Sequence, residues 1–257
     1  MIAQRFVTAL SIAMLASWLL NMQARGDGEL EFLAGTSRRC ARCSLERAVL
    51  KRRDLSGADL SGANLARAVL HRARLQRAML VGADLTEANL NKADLKYASL
   101  VRARLAGAML YETELGLADL TDAILSNAKM GRARLMRAVL DRAELKEAIL
   151  TGARLDDASL RGAQLASGNL VGASLRRANL EGADLNNAGL VDAVLANANL
   201  KGAKLSEADL LGADLSGANL QGADLSEARL TRTILTDALL DGAKLTGTLM
   251  PDGSVHD

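Results

Sequence analysis

The chain is poor in the residues that build ordinary cores and ordinary active sites. Of its 257 residues 2% are aromatic, one is proline, two are cysteine and two are histidine. With so few aromatics, a large core must come from small and medium aliphatic side chains, and Leu and Ala dominate the sequence. His71 and His256 are far apart, so no nucleophile–base pair is legible. The glycines of the repeats recur at a spacing of five and form no phosphate-cradling loop. A net charge of +2 points neither to a binder of polyanions nor to a mimic of one. The residues therefore imply no enzyme and no cofactor.

What is present is a repeat. In the stretch ADLSGANLQGADLSEARL, residues 213–230, Leu stands at 215, 220, 225 and 230, with Ala two places before each. From Leu45 to Leu245 every fifth residue is Leu across 41 positions, Met130 excepted. The Ala series, Ala48 to Ala243, is broken by Arg53, Thr113, Gly168 and Thr233. A helix cannot use this period, because residues turning about 100° each would place successive Leu about 140° apart and spread them over all faces. A continuous strand cannot use it either, since an odd spacing sends alternate Leu to opposite faces.

The chain must therefore turn within each repeat. Ala and Leu, two apart, share a face as in a strand, and the residue between them points outward. The two residues after Leu make the corner and are rich in Ser-Gly, Thr-Gly and Lys-Gly. One corner of about 90° per five residues closes a four-sided coil in 20, and coils stack at about 4.8 Å, so that ten give a rod of about 50 Å. The expected class is all-β, with Leu filling a narrow interior at roughly 1.5–3 kcal/mol each.

Residues 1–24 read differently. Arg5 precedes an apolar run from Phe6 to Leu20 that is short for a bilayer span, which needs roughly 20 residues. It suits a secretory leader ending near Ala24, with an uncleaved anchor over 6–20 as the alternative. Residues 25–44 form an N-terminal cap, where Asp27 to Gly35 predicts a short helix with Phe32 and Leu33 over the first coil. Arg53, replacing Ala near this end, is expected to reach solvent. The cap contains Cys40 and Cys43, for which a structural disulfide, a redox pair and half a zinc site are all open; export would favour the disulfide. Residues 45–249 are the array, and 250–257 a tail in which Pro251 stops the ladder, Asp252-Gly253 turns and the last residues fray.

The units ADLSG, ANLQG and ADLSE resemble the A(D/N)LXX motif of the pentapeptide repeat family over residues 45–249. The resemblance implies a right-handed quadrilateral β-helix. The segment FLAGTSRRCARCSL, ahead of the repeats, is similar to the one that opens exported cyanobacterial members, which commonly carry Cys-x-x-Cys before the first unit. This implies a periplasmic or thylakoid-lumen location and a soluble mature protein without stable membrane insertion. Family members that protect gyrase look like duplex DNA, but they resemble acidic dimers, often with Phe in the central place. Here that place is Leu and the charge is +2, so the DNA-mimic reading ranks last.

Two surface features are candidate contact sites for a protein partner. Residues 38–77 carry eleven Lys and Arg against three acids, net +8, whereas 178–257 carry five against twelve, net −7. A 20-residue coil stacks Arg52, Arg72 and Lys92 in a basic corner column, and Val171, Val191 and Leu211 in an apolar one. Nucleic acid is not an expected partner, because the basic end lacks aromatics for stacking on bases. The leading expectation is a non-enzymatic interaction module, followed by a redox-responsive protein acting through Cys40 and Cys43.

Overall fold

An odd period has to be absorbed by a bend, and the backbone bends in every repeat. The structure, a computed structural model, describes residues 27–257; the leader or anchor expected at the N terminus lies outside them. Each corner is closed by a bond from the Ala amide to the preceding Leu carbonyl, as in Ala153 N to Leu150 O at 2.9 Å. Parallel pairings then join residues 20 apart, from Arg39 with Asp59 to Arg229 with Leu249, without a break in register. A corner every five residues and a partner 20 residues on give four sides per coil.

Backbone accounting explains why the stack holds. Leu150 donates forward to Asn169 O (2.7 Å), Asn169 donates back to Ala148 O (2.9 Å), and Gly152 donates forward to Val171 O (2.9 Å). With the corner bond, four of the five amides in a unit are paired by backbone alone. The fifth belongs to the first corner residue, and where Asp or Asn stands two places before it a side chain serves it. The Asn169 carboxamide accepts from Val171 N at 3.2 Å, and Asp54 accepts from Ser56 N at 3.0 Å. The same bond recurs along the array, for example at Asn64, Asp94, Asp119, Asp184 and Asn219. The Asp or Asn of the motif is thus a local acceptor that completes the turn, two residues before the donor. Where another residue stands there, the coil below can supply the oxygen: Asn91, Asp141 and Asn186 accept from Tyr111, Arg161 and Ser206.

Inside, Leu and Ala are almost completely excluded from solvent from Leu45 to Leu230, with Met130 in the Leu place. Three of the four breaks in the Ala series, Thr113, Thr233 and Arg53, have a physical reason. Thr113 and Thr233 hold their hydroxyls against Leu90 O (2.9 Å) and Leu210 O (2.8 Å), so each buried polar group is satisfied. Arg53 does not simply reach solvent as expected. It is half-buried and donates to Leu33 O (2.8 Å) and Phe32 O (3.0 Å) at the end of a helix, where the Phe32 carbonyl also accepts from Gly35 N (3.0 Å).

That helix, α1 (Asp27–Ala34), ends at Gly35, whose φ of +83° suits glycine. Phe32 joins the core and Leu33 packs against it. The ladder starts at Arg39, earlier than the Leu45 boundary read from the leucines, because Cys40 and Cys43 occupy a Leu and an Ala place. At the other end the tail folds back instead of fraying. Strand β1 (Thr248–Leu249) pairs antiparallel with β2 (Val255–His256) around a turn at Pro251–Gly253. Leu235, Leu240 and Leu245 of the last coil are only partly covered.

Candidate interaction surfaces

The corners decide what the outside presents. From Arg42 to Gly247, the second residue of every corner has a φ between +54° and +71°. Glycine takes this conformation freely, but most of these positions are Arg, Glu, Asp, Asn or Lys. For a residue with a Cβ the left-handed region costs roughly 1–2 kcal/mol, so the array sustains strain along its edges in exchange for outward side chains.

The basic column stands where expected. Arg52, Arg72 and Lys92 are exposed second corner residues with φ of +58°, +56° and +58°. The column then meets Glu112, whose carboxylate lies 3.3 Å from Lys92 Nζ and 4.0 Å from Arg132. The apolar column also forms, with Gly152, Gly172 and Asp192 donating to Val171 O, Val191 O and Leu211 O. Its three side chains are first corner residues and only half-exposed, so the strip offers less surface than the sequence implied.

Elsewhere the coils are laced by ion pairs one turn of the stack apart. Arg142 forks Asp122 (2.8 and 2.9 Å) and Arg177 forks Asp157 (2.7 and 2.8 Å). These pairs are exposed and screened by solvent, so they add little to stability. The turn acceptors are electrostatically distinct. Hydrogen bonds from the Ser56 amide and hydroxyl hold Asp54 down to about 2 from the ordinary 3.8, assisted by Arg74 and Arg38. The Ser226 hydroxyl and amide do the same for Asp224, again to about 2. Cys40 and Cys43 are joined in a disulfide across a corner, with Cα atoms 5.2 Å apart, so they are not free thiols for zinc. Among the described residues no cluster is arranged to hold a metal ion, and no helix is long and apolar enough to cross a membrane.

One surface was not foreseen. Tyr97 and Leu117, 54% and 46% exposed, are stacked second corner residues with φ of +62° and +59°. They are the large apolar side chains in a series otherwise made of Gly, Ser and polar or charged residues. The signal was in the sequence, since their spacing of 20 is the coil repeat, but the left-handed corner that makes them unusual was not.

A pattern described as pentapeptide repeats matches the chain in overlapping segments that run from 43–80 to 208–247. The chain belongs to the pentapeptide repeat family. Among solved members of the family, HetL comes from the cyanobacterium Nostoc sp. strain PCC 7120 and is described as involved in heterocyst differentiation regulation. It is 37% identical over 88% of this chain and 97% of its own, with a TM-score of 0.36. QnrB1, a plasmid-mediated fluoroquinolone resistance protein, is 20% identical over 65% of this chain and 90% of its own, with a TM-score of 0.56; it shares the fold. A pentapeptide repeat protein of the Arabidopsis thaliana thylakoid lumen is 34% identical over 34% of this chain and 61% of its own, with a TM-score of 0.34. No curated protein matches the chain.

Proposed function

We propose that this pentapeptide repeat protein is a non-enzymatic interaction module, a right-handed quadrilateral β-helix of about ten coils that presents rows of side chains to a partner protein. The observation that carries this reading is the division of labour in each unit. Leu and Ala fill the interior, while the corner and mid-face residues form columns repeated every 20 residues on a backbone without slip. A rigid backbone fixes those columns before any partner arrives, which lowers the entropic cost of binding.

The test is affinity capture of partners at low and high salt, using the wild type and two triple variants. Arg52→Glu, Arg72→Glu and Lys92→Glu removes the basic column; Val171→Ser, Val191→Ser and Leu211→Ser removes the apolar one. A contact through the basic column weakens with salt, because exposed charges are screened beyond about 8–10 Å. A contact through the apolar column persists in salt. Capture of no specific protein under any condition would refute the module.

The proposed location is the periplasm or thylakoid lumen, with residues 1–24 removed as a leader. The bonded Cys40–Cys43 pair supports it, since disulfides persist in oxidising compartments. Mature protein is expected to start near Arg25, and full-length protein in the membrane fraction would instead favour an anchor over 6–20. The same disulfide favours a second reading, a redox-responsive module; a thiol count and a binding assay before and after reductant separate the two.

A further inference from the structure

Tyr97 and Leu117 stand out because they are large and apolar at left-handed corners that otherwise hold glycine, serine or polar and charged side chains. A left-handed second corner residue is least costly as glycine, and glycine already serves this column at Gly57, with φ +65°, and at Gly217. An exposed Tyr above an exposed Leu gains little from solvent and strains the backbone twice. Such outliers concentrate where a surface is kept for contact. Beside them lies a mostly apolar depression of about 290 Å³, lined by Tyr97, Leu117, Gly116, Met136, Lys96 and Arg137. The lack of a side chain at Gly116 keeps its floor low.

The charges around the depression indicate its occupant. Arg77 lies one coil before Tyr97 in the same column, and Arg137 one coil after Leu117. Arg77 rests over the Tyr97 ring at 5.6 Å from its centroid, a cation–π contact. Among the described residues neither Arg77 nor Arg137 forms an ion pair; Asp157, one coil after Arg137 in the same column, is forked by Arg177 and held below the ordinary carboxylate range chiefly by it, with a smaller contribution from Arg137. The column therefore reads cation, apolar, apolar, cation.

We propose that this corner binds an extended peptide segment of a partner protein, in which an apolar side chain is flanked by two acidic ones. The spacing sets the pattern. Arg77 and Arg137 are three coils apart, about 14 Å at the usual stacking distance, and four residues of extended chain span the same length at about 3.4 Å each. The recognised segment is then acidic–x–apolar–x–acidic, its central side chain over Tyr97 and Leu117 and its two carboxylates at the guanidinium groups. This proposal deepens the interaction-module reading and rests on it.

The decisive variants are Leu117→Gly and Tyr97→Gly. Each deletes the contact while placing glycine at a left-handed corner, so the fold is expected to hold or gain in thermal midpoint. Loss of binding then cannot be attributed to unfolding. The probe is a fluorescent nine-residue peptide with Glu-Ser-Leu-Ser-Glu at its centre, followed by anisotropy against the soluble protein at low salt. Saturable binding is expected, weakened at least about tenfold by Leu117→Gly and by Arg137→Glu, and absent for the peptide with Lys in place of Glu. No saturation with wild type, or equal binding by the glycine variants, would overturn the proposal. So would binding of phosphatidylglycerol vesicles, instead of the peptide, that is lost in Leu117→Gly, since that would identify an anionic lipid surface as the occupant. Capture with the same variants separates the two levels: a partner retained by Leu117→Gly and Tyr97→Gly refutes this site but leaves the module intact.

Discussion

Leu150 gives the most direct measurement of what the interior contributes. Its side chain is fully buried in mid-array, between Met130 and Leu170 of the neighbouring coils, and its amide is tied to Asn169 O at 2.7 Å. Leu150→Ala removes three carbons, about 2.4 kcal/mol of transfer free energy at roughly 0.8 kcal/mol each. The ladders above and below hold the backbone apart, so the cavity cannot collapse, and the total should reach about 3–4 kcal/mol within the usual range for such truncations. Leu240 lies in the last coil and is only partly covered. There the same change loses part of the transfer term and opens to solvent, so about 1–2 kcal/mol is expected. Val191→Ser, at a half-exposed corner, should cost less than about 1 kcal/mol. The assay is urea unfolding followed by far-UV circular dichroism, with hydrogen exchange to locate the loosened coils, because a stacked array need not unfold as one unit. Equal costs at Leu150 and Leu240, or at Leu150 and Val191, would refute the assignment of interior and exterior.

Four further outcomes are expected. Asn219→Ala strips the acceptor from Gln221 N (3.0 Å) and should cost about 1 kcal/mol, whereas Asn219→Asp keeps the bond and should be nearly neutral in thermal melts. Ser167 holds φ at +57°, so Ser167→Gly should raise the melting temperature, corresponding to up to about 1 kcal/mol. Asp54 and Asp224 titrate near 2 in the folded chain, below the ordinary 3.8. Their contribution is therefore present above about pH 3.8 and lost as pH falls through about 2, and replacing both with Asn should flatten that acid limb in a pH series of melts. Reducing Cys40–Cys43 opens a small loop at one end of the stack. It should shift the thermal midpoint little and raise proteolysis near Gly35, with the β signal intact; loss of that whole signal would show that the disulfide does more than fasten the edge.

The period of five carried much of the fold, because only a bend in each unit reconciles inward Ala and Leu with an odd repeat. The structure added what a pattern of apolar residues cannot specify, namely which backbone groups remain once the ladder has formed. Only that accounting assigns Asp and Asn of the motif to the first corner amide; the sequence alone had marked them merely as polar and outward. Cys40 and Cys43 hid the start of the ladder because neither looks like Leu or Ala, although both fill those places. Arg53 was visible as an anomaly, but its partners, the Phe32 and Leu33 carbonyls, depend on where α1 ends. Of the surface columns, Arg52, Arg72 and Lys92 followed from the coil length, whereas Tyr97 and Leu117 needed the corner dihedral to be noticed.

The uniform step of 20 residues between paired positions bears on how the rod is assembled. No ladder bond waits for a distant part of the chain; each strand needs only the coil made just before it. Closing a loop of one fixed, modest length, again and again, is the kind of search that proceeds quickly. With α1 covering the first coil, a chain released from its N terminus can lay each new coil on a finished template. Folding would then keep pace with emergence, and the growing end would carry the unpaired backbone edge at every stage.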